Sequence, residues 1–212
     1  MLYNKNNLII HQITSKDENR PELSSVLFKK DRSVATDSFK LIEVKNIGDE
    51  WQNLVNDYPI LPDKSKPLVN FPKKGIMVDG GSVKKALKNL NEVKSELSIL
   101  KNACIVNANN PDNVKIVSTD LNRVDAVITK KVEGNYPNYE QVVPQNLKNY
   151  RKVLVDIKQL KQLVDTLSQM ELNSMPIIEL YVADDENKPL VIKTKNDDLK
   201  QEITGLLMPV RQ

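Results

Sequence analysis

Ser33–Val44 reads SVATDSFKLIEV, and Ile116–Val127 reads IVSTDLNRVDAV. Val34, Thr36, Asp37 and Val44 recur as Val117, Thr119, Asp120 and Val127, while Lys40 returns as Arg123 and Leu41 as Val124. Each copy is a β-branched run, a Thr-Asp pair, polar residues and a second apolar run, which is the pattern of two strands joined by a tight turn. Asp at such a turn bonds its own backbone two residues on and favours the reversal. A recurrence of this kind means that one supersecondary unit is used more than once.

A second recurrence flanks the first. Val78-Asp79 precedes Val83, Lys84, Ala86, Leu87 and Leu90, and Val155-Asp156 precedes Leu160, Lys161, Leu163, Val164 and Leu167. The three- and four-residue apolar spacing predicts a strand running into an amphipathic helix in both places. Asp156 is the expected N-cap of the later helix, and Asp79 or Ser82 that of the earlier one, which Val93 and Leu97 extend. Strands are expected at 103–107, 114–119 and 124–129, and again at 177–182, 190–194 and 202–208. The repeating unit is therefore strand–helix–strand–strand–strand, with one copy over 75–144 and a second over 152–210. Segment 23–60 reads as a third copy with a strand at Leu23–Phe28 and the Ser33–Val44 hairpin but no convincing helix. Residues 1–22 are weakly patterned, with Leu8–Ile13 a short strand or a single helical turn. Asp49 is placed to cap a short helix carrying Trp51, Leu54 and Val55, before Pro59, Pro62 and Pro67 break regular structure.

Composition narrows the chemistry. With 212 residues, 40% hydrophobic and 28% charged, the chain is an ordinary globular sequence. The net charge of +3 permits nucleic-acid contact without announcing it. The single cysteine, Cys104, lies in an apolar run and reads as a buried strand residue, compatible with a reducing compartment. Neither a secretory signal nor a membrane span is legible, so the expected location is the cytoplasm. The only histidine, His11, has no second His or Cys to form a metal site. Asp79-Gly80-Gly81-Ser82 lacks the spacing and lysine of a phosphate loop. Thr-Asp at 36–37 and 119–120 recurs at equivalent turns, which favours a structural role over carboxylate chemistry. The expectation is a protein without catalysis, metal or cofactor.

Four pieces together resemble the DNA sliding clamps, the bacterial polymerase III beta subunit in particular. They are the Val34–Leu41 hairpin, the Val132–Tyr139 stretch VEGNYPNY with its trailing Val142-Val143-Pro144, the helix-bearing repeats, and the terminal Leu206–Arg211 LLMPVR. The resemblance covers about residue 20 to the end and implies an α+β, DNA-clamp-like fold. By it, residues 1–145 correspond to the middle domain of a bacterial clamp with a truncated first half-unit. Residues 146–212 correspond to the C-terminal half of the last domain. The chain departs from the family in length, holding about one and a half domains, and in its mildly basic charge.

The resemblance implies a processivity or protein-tethering factor. Its partners would be double-stranded DNA and a DNA polymerase, or other clients carrying a clamp-binding peptide. Lys84, Lys85, Lys88, Lys158 and Lys161 sit where clamp helices face duplex phosphates, a contact that holds DNA without reading its sequence. A solvated polar face interspersed with Glu92, Glu96 and Asp165 is the other reading of those lysines. The peptide contacts carried over by motif are Thr36, Ser38, Lys40, Leu41, Pro144, Leu206 and Met208. Leu41, Leu206 and Met208 also read as ordinary core. An interaction module that never encircles DNA, serving as adaptor or competitor for the same peptides, is the alternative function. An odd half-unit leaves strand edges that favour a homo-oligomer.

Overall fold

Asn4, Asp79 and Asp156 each end an extended stretch and cap the helix that follows. The computed structural model describes the chain outside residues 18, 47–56, 60, 62–66, 69–70, 145, 171, 173–176, 186 and 211–212. Within it the three caps begin α1 (Lys5–Ile9), α2 (Gly80–Glu92) and α3 (Ile157–Ser168). Asp79 accepts from the N–H groups of Gly81 and Ser82 at 2.8 and 2.9 Å, and Asp156 from those of Lys158 and Gln159 at 2.8 and 3.0 Å. These bonds satisfy donors that a helix start otherwise leaves unpaired. Asn4 and Asn7 close a reciprocal capping box around the start of α1. The helix expected over Trp51, Leu54 and Val55 lies outside the described residues.

Packing divides the chain into two units, Met1–Tyr139 and Glu140–Gln212. Both are mixed α and β with antiparallel pairing throughout. In the first unit, β1 (Leu2–Asn4) runs into α1 and a 3-10 turn at Ile10–Ile13. The chain continues through β2 (Ser25–Phe28), β3 (Arg32–Thr36) and β4 (Leu41–Lys45). The order then repeats as β5 (Ile76–Asp79), α2, β6 (Asn102–Asn107), β7 (Asn113–Thr119) and β8 (Val124–Lys130).

The sheets do not follow the repeats. One has the order β4-β3-β2-β5 and the other β1-β6-β7-β8, so each half-unit gives its leading strand to the sheet of its fellow. The two exchanges share a register. Ser25 faces the cap residue Asp79, and Asn102 faces the cap residue Asn4. The exchange also seats α1 against α2 over a common core. That core holds Leu8, Val26, Phe28, Val78, Val83, Leu87 and Ile105. Tyr3, carried by β1, packs edge-on to Phe28 at 4.7 Å and donates its hydroxyl to the Lys29 carbonyl, tying one sheet to the other.

Two expectations are corrected here. The first half-unit does carry a helix, but upstream of its strands at 5–13. Its apolar face is only Leu8 and Ile10, buried beside Asn7, and is too short to show helical periodicity. Secondly, α2 stops at Glu92, because β-branched Val93 is already extended and a separate 3-10 turn at Ser98–Lys101 leads into β6.

The second unit, taken by itself, holds α3 and a three-stranded sheet of order β11-β10-β9. The strands are β9 (Glu179–Tyr181), β10 (Leu190–Asn196) and β11 (Gln201–Leu207). Helix α3 covers the face that carries Ile192, Gly205 and Leu207. A β-carbon at Gly205 would stand 3.1 Å from Leu163, so the bare backbone makes room for the helix. The strand expected at Val155 is not assigned. Residues 151–156 lead into α3, and beside them the Val210 N–H donates to the Leu154 carbonyl.

Candidate nucleic-acid and peptide interface

The two Thr-Asp hairpins are the same object. Thr36 donates its hydroxyl to the Lys40 carbonyl and accepts from the Ser38 N–H, and Thr119 does the same with Arg123 and Leu121. The Asp37 carboxylate accepts from the N–H groups of Phe39 and Lys40, and that of Asp120 from Asn122 and Arg123. Ser38 and Leu121 take left-handed φ of 79° and 77° at the matching position. The Lys40 ammonium bonded to Asp37, together with those N–H groups, holds its carboxyl down at about 2. The Arg123 N–H lowers Asp120 in the same way. Thr36 therefore spends its hydroxyl on the turn and is buried, while Ser38, Phe39 and Lys40 stand exposed at the tip with Leu41 half-buried beneath them.

The Gly134–Tyr139 stretch returns from β8 to the first half-unit. Its Tyr136 hydroxyl donates to the Val34 carbonyl at 3.3 Å, and the Tyr139 ring lies beneath the Lys29 ammonium. The stretch thus straps β8 to the sheet that holds the first hairpin.

On α2, Val83, Ala86, Leu87 and Leu90 are buried and Lys84, Lys85 and Lys88 are exposed, so one helix turns three ammonium groups to solvent. Its neighbour α1 exposes Lys5, Asn6 and Ile9, which is a far less basic face. On α3, Lys158 and Lys161 are exposed, and Lys161 is paired with Asp165 one turn on. The cations of α2 and α3 belong to different units. Glu92, one of the interspersed acids, follows Lys88 by one turn on the same exposed face and is paired with Arg123 at 3.3 Å.

The C-terminal candidates are on the surface. Leu206 and Met208 are 60% and 62% exposed, so neither is core. Pro144 is exposed as well. Leu206 stands opposite Val191, and Val191 opposite Tyr181, making an apolar row across the face of the sheet turned away from α3. Beside this row a cavity of about 400 Å³ has a mixed lining that includes the apolar Ile177 and Ile203 and the polar or charged Glu179, Lys193, Lys195 and Glu202. These lining residues were missed in the sequence. The run Leu206-Leu207-Met208 is apolar at every position and hides which residues point outward.

His11 donates from its ring to the Leu8 carbonyl inside the α1 turn. Cys104 is a buried thiol in β6. Among the described residues no group of His, Cys, Asp and Glu is placed to hold a metal, and no helix is long and apolar enough to cross a membrane. No known family model matches the chain, and no curated protein is significantly similar to it. Fold and site therefore define an α+β protein of antiparallel sheets with a lysine-bearing helix and an exposed apolar row.

Proposed function

We propose that the protein is a cytoplasmic, sliding-clamp-like tethering factor that holds duplex DNA through its helix lysines, binds client peptides, and performs no catalysis. The observation that carries this reading is the paired half-unit of Met1–Tyr139. Its duplicated strand–helix–strand–strand–strand order places two helices side by side, with Lys84, Lys85 and Lys88 aligned on the exposed face of α2. Flexible ammonium groups on a regular element suit phosphates, which position a duplex without identifying bases. Leu206 and Met208 support the peptide part, because exposed apolar side chains are anchor contacts of the kind short segments use. Thr36, Ser38, Lys40, Leu41 and Pro144 remain contacts implied by the resemblance.

The experiment is binding to a fluorescent duplex across a salt series. The affinity of the parent falls with a log–log slope of roughly −0.9 per phosphate neutralised. Changing Lys84, Lys85, Lys88, Lys158 and Lys161 to Ala removes the binding and leaves the circular dichroism spectrum unchanged. Equal affinity of parent and variant would reject the DNA part.

The uneven charge of α1 and α2 favours one second reading, an adaptor that binds clamp-binding peptides without encircling DNA. A labelled clamp-binding peptide that saturates the parent and not a Leu206→Ala, Met208→Ala variant, in a chain with no salt-dependent DNA binding, would select it.

A further inference from the structure

The half-unit in Glu140–Gln212 is built to the same plan as the pair in the first unit. Three rows across the sheets match: Phe28–Ser33–Val44, Ile105–Ile116–Val127 and Leu180–Ile192–Gly205. The return of the chain matches too. Val132 donates its N–H to the carbonyl of Met77, two residues before the Asp79 cap, and Val210 donates to Leu154, two residues before the Asp156 cap. Val132 lies five residues beyond Val127 and Val210 five beyond Gly205, so the rows and the return bonds agree on one alignment.

Under that alignment the second unit lacks what the first unit supplies to itself. In the first unit Val78 of β5 sits on Val26, and Ile76 on Phe28. The corresponding leading residues, Val155 and Val153, are half-exposed and pair with no strand among the described residues. The corresponding receiving residues, Ile178 and Leu180, are 39% and 59% exposed, whereas Val26 and Phe28 are at 0%. On the helix, Val164 is 41% exposed where its counterpart Leu87, packed near α1, is at 8%. Donor strand, acceptor edge and helix face are thus all open, and they are the three surfaces that one half-unit presents to another.

We propose that two copies of this chain join through their Glu140–Gln212 units by reciprocal strand exchange. Residues 153–155 of each copy add antiparallel to the β9 edge of the other, with Val155 opposite Ile178, Leu154 opposite Glu179 and Val153 opposite Leu180. The two α3 helices meet as α1 and α2 do. The contact is isologous, so two copies close it and leave neither exchanging edge open. Charge agrees with a second copy as the occupant. Residues 146–155 carry Lys148, Arg151 and Lys152 and no acid, while residues 177–185 carry Glu179, Asp184 and Asp185 and no base. Arg151 reaches Asp184 and the Val182 carbonyl of its own copy, and in the proposed register it stands opposite Val182 of the partner, so the exchange trades this contact for the same one between copies. This assembly does not depend on DNA or peptide binding, and its failure would leave that reading standing.

The test uses the 212-residue chain. Light scattering gives twice the chain mass of 24.1 kDa at micromolar concentration, and Leu180→Lys returns it to the monomer mass with unit Met1–Tyr139 still folded. Register is read by mixing separately purified Leu154→Cys and Glu179→Cys chains under mild oxidation. Directly opposed strand residues stand about 4.5–5.5 Å apart at Cα, within disulfide reach. The mixture gives a covalent dimer, neither chain alone does, and Leu154→Cys mixed with Tyr181→Cys, two residues out of register, does not. A strict monomer overturns the proposal, and so does a dimer in which the Leu154→Cys and Glu179→Cys chains do not cross-link.

Discussion

Met1–Tyr139 twice runs a helix into three strands, Glu140–Gln212 does so once, and the two units differ in whether that order has a fellow. In the first, two leading strands are exchanged and the residues beneath them vanish from solvent. In the second, the matching valines, isoleucine and leucine stay partly exposed around one helix. The half-unit's apolar pattern is therefore not the pattern of a self-sufficient fold. Its leading strand and its helix are each apolar toward a neighbour, so burial is complete only when two are combined.

The largest expected effect separates matched positions. Phe28→Ala removes a fully buried ring and lowers the stability of the first unit by about 3–5 kcal/mol. Leu180→Ala, at the equivalent but exposed place, changes the dilute chain by no more than about 0.5 kcal/mol. Urea unfolding at low concentration measures both, and equal losses would erase the distinction.

Gly75 comes next. It enters β5 at φ +86°, and a β-carbon there would lie 2.6 Å from the Phe28 carbonyl oxygen. Gly75→Ala is expected to cost about 1–3 kcal/mol by straining the strand that the exchange depends on. An unchanged urea midpoint would show that β5 tolerates the shift.

The caps are smaller. Asp79→Ala is expected to cost about 1 kcal/mol. Burial pushes the Asp79 carboxyl up, but the Ser82 hydroxyl and the N–H groups of Gly81 and Ser82 outweigh it and leave it below the usual range. The cap's contribution is therefore complete above the unfolded carboxyl value of about 3.9 and is lost as pH falls through the lower folded value. Parent and Asp79→Ala should converge in stability in acid. A gap that persists there would assign the cap's effect to something other than its charge.

The smallest effect is at the hairpin tip. Asp37 should titrate near 2 by carboxyl NMR, held down by Lys40, and Lys40→Ala should raise that midpoint toward the ordinary value without altering the fold. A midpoint near 3.9 in the parent would show that Lys40 and the turn N–H groups do not hold the carboxylate down.

Much of this was legible in the sequence. Thr36-Asp37 and Thr119-Asp120 announced the hairpins because turn chemistry is local, and Asp156 announced its cap for the same reason. Lys84, Lys85 and Lys88 fell on the exposed face that their spacing from Val83, Leu87 and Leu90 indicates. Helix α1 was half legible: Leu8–Ile13 reads as a short strand or a single helical turn, and Leu8 and Ile10 give no helical period that would choose between them. Strand exchange was not legible either. Val78 reads as a strand residue whether it pairs with its own half-unit or with Val26 of the other, because alternation records burial and not the partner. The outward position of Leu206 was masked by the apolar run Leu206-Leu207-Met208.

Hydrogen exchange followed by mass spectrometry at two protein concentrations tests the comparison most directly. Leu2–Asn4 and Ile76–Asp79 should exchange slowly at both concentrations, with the core of the first unit. Residues 153–155 and Glu179–Tyr181 should exchange fast when dilute and become protected together when concentrated. Fast exchange of the two leading strands of the first unit, or concentration-independent exchange of the second unit's edge, would contradict it.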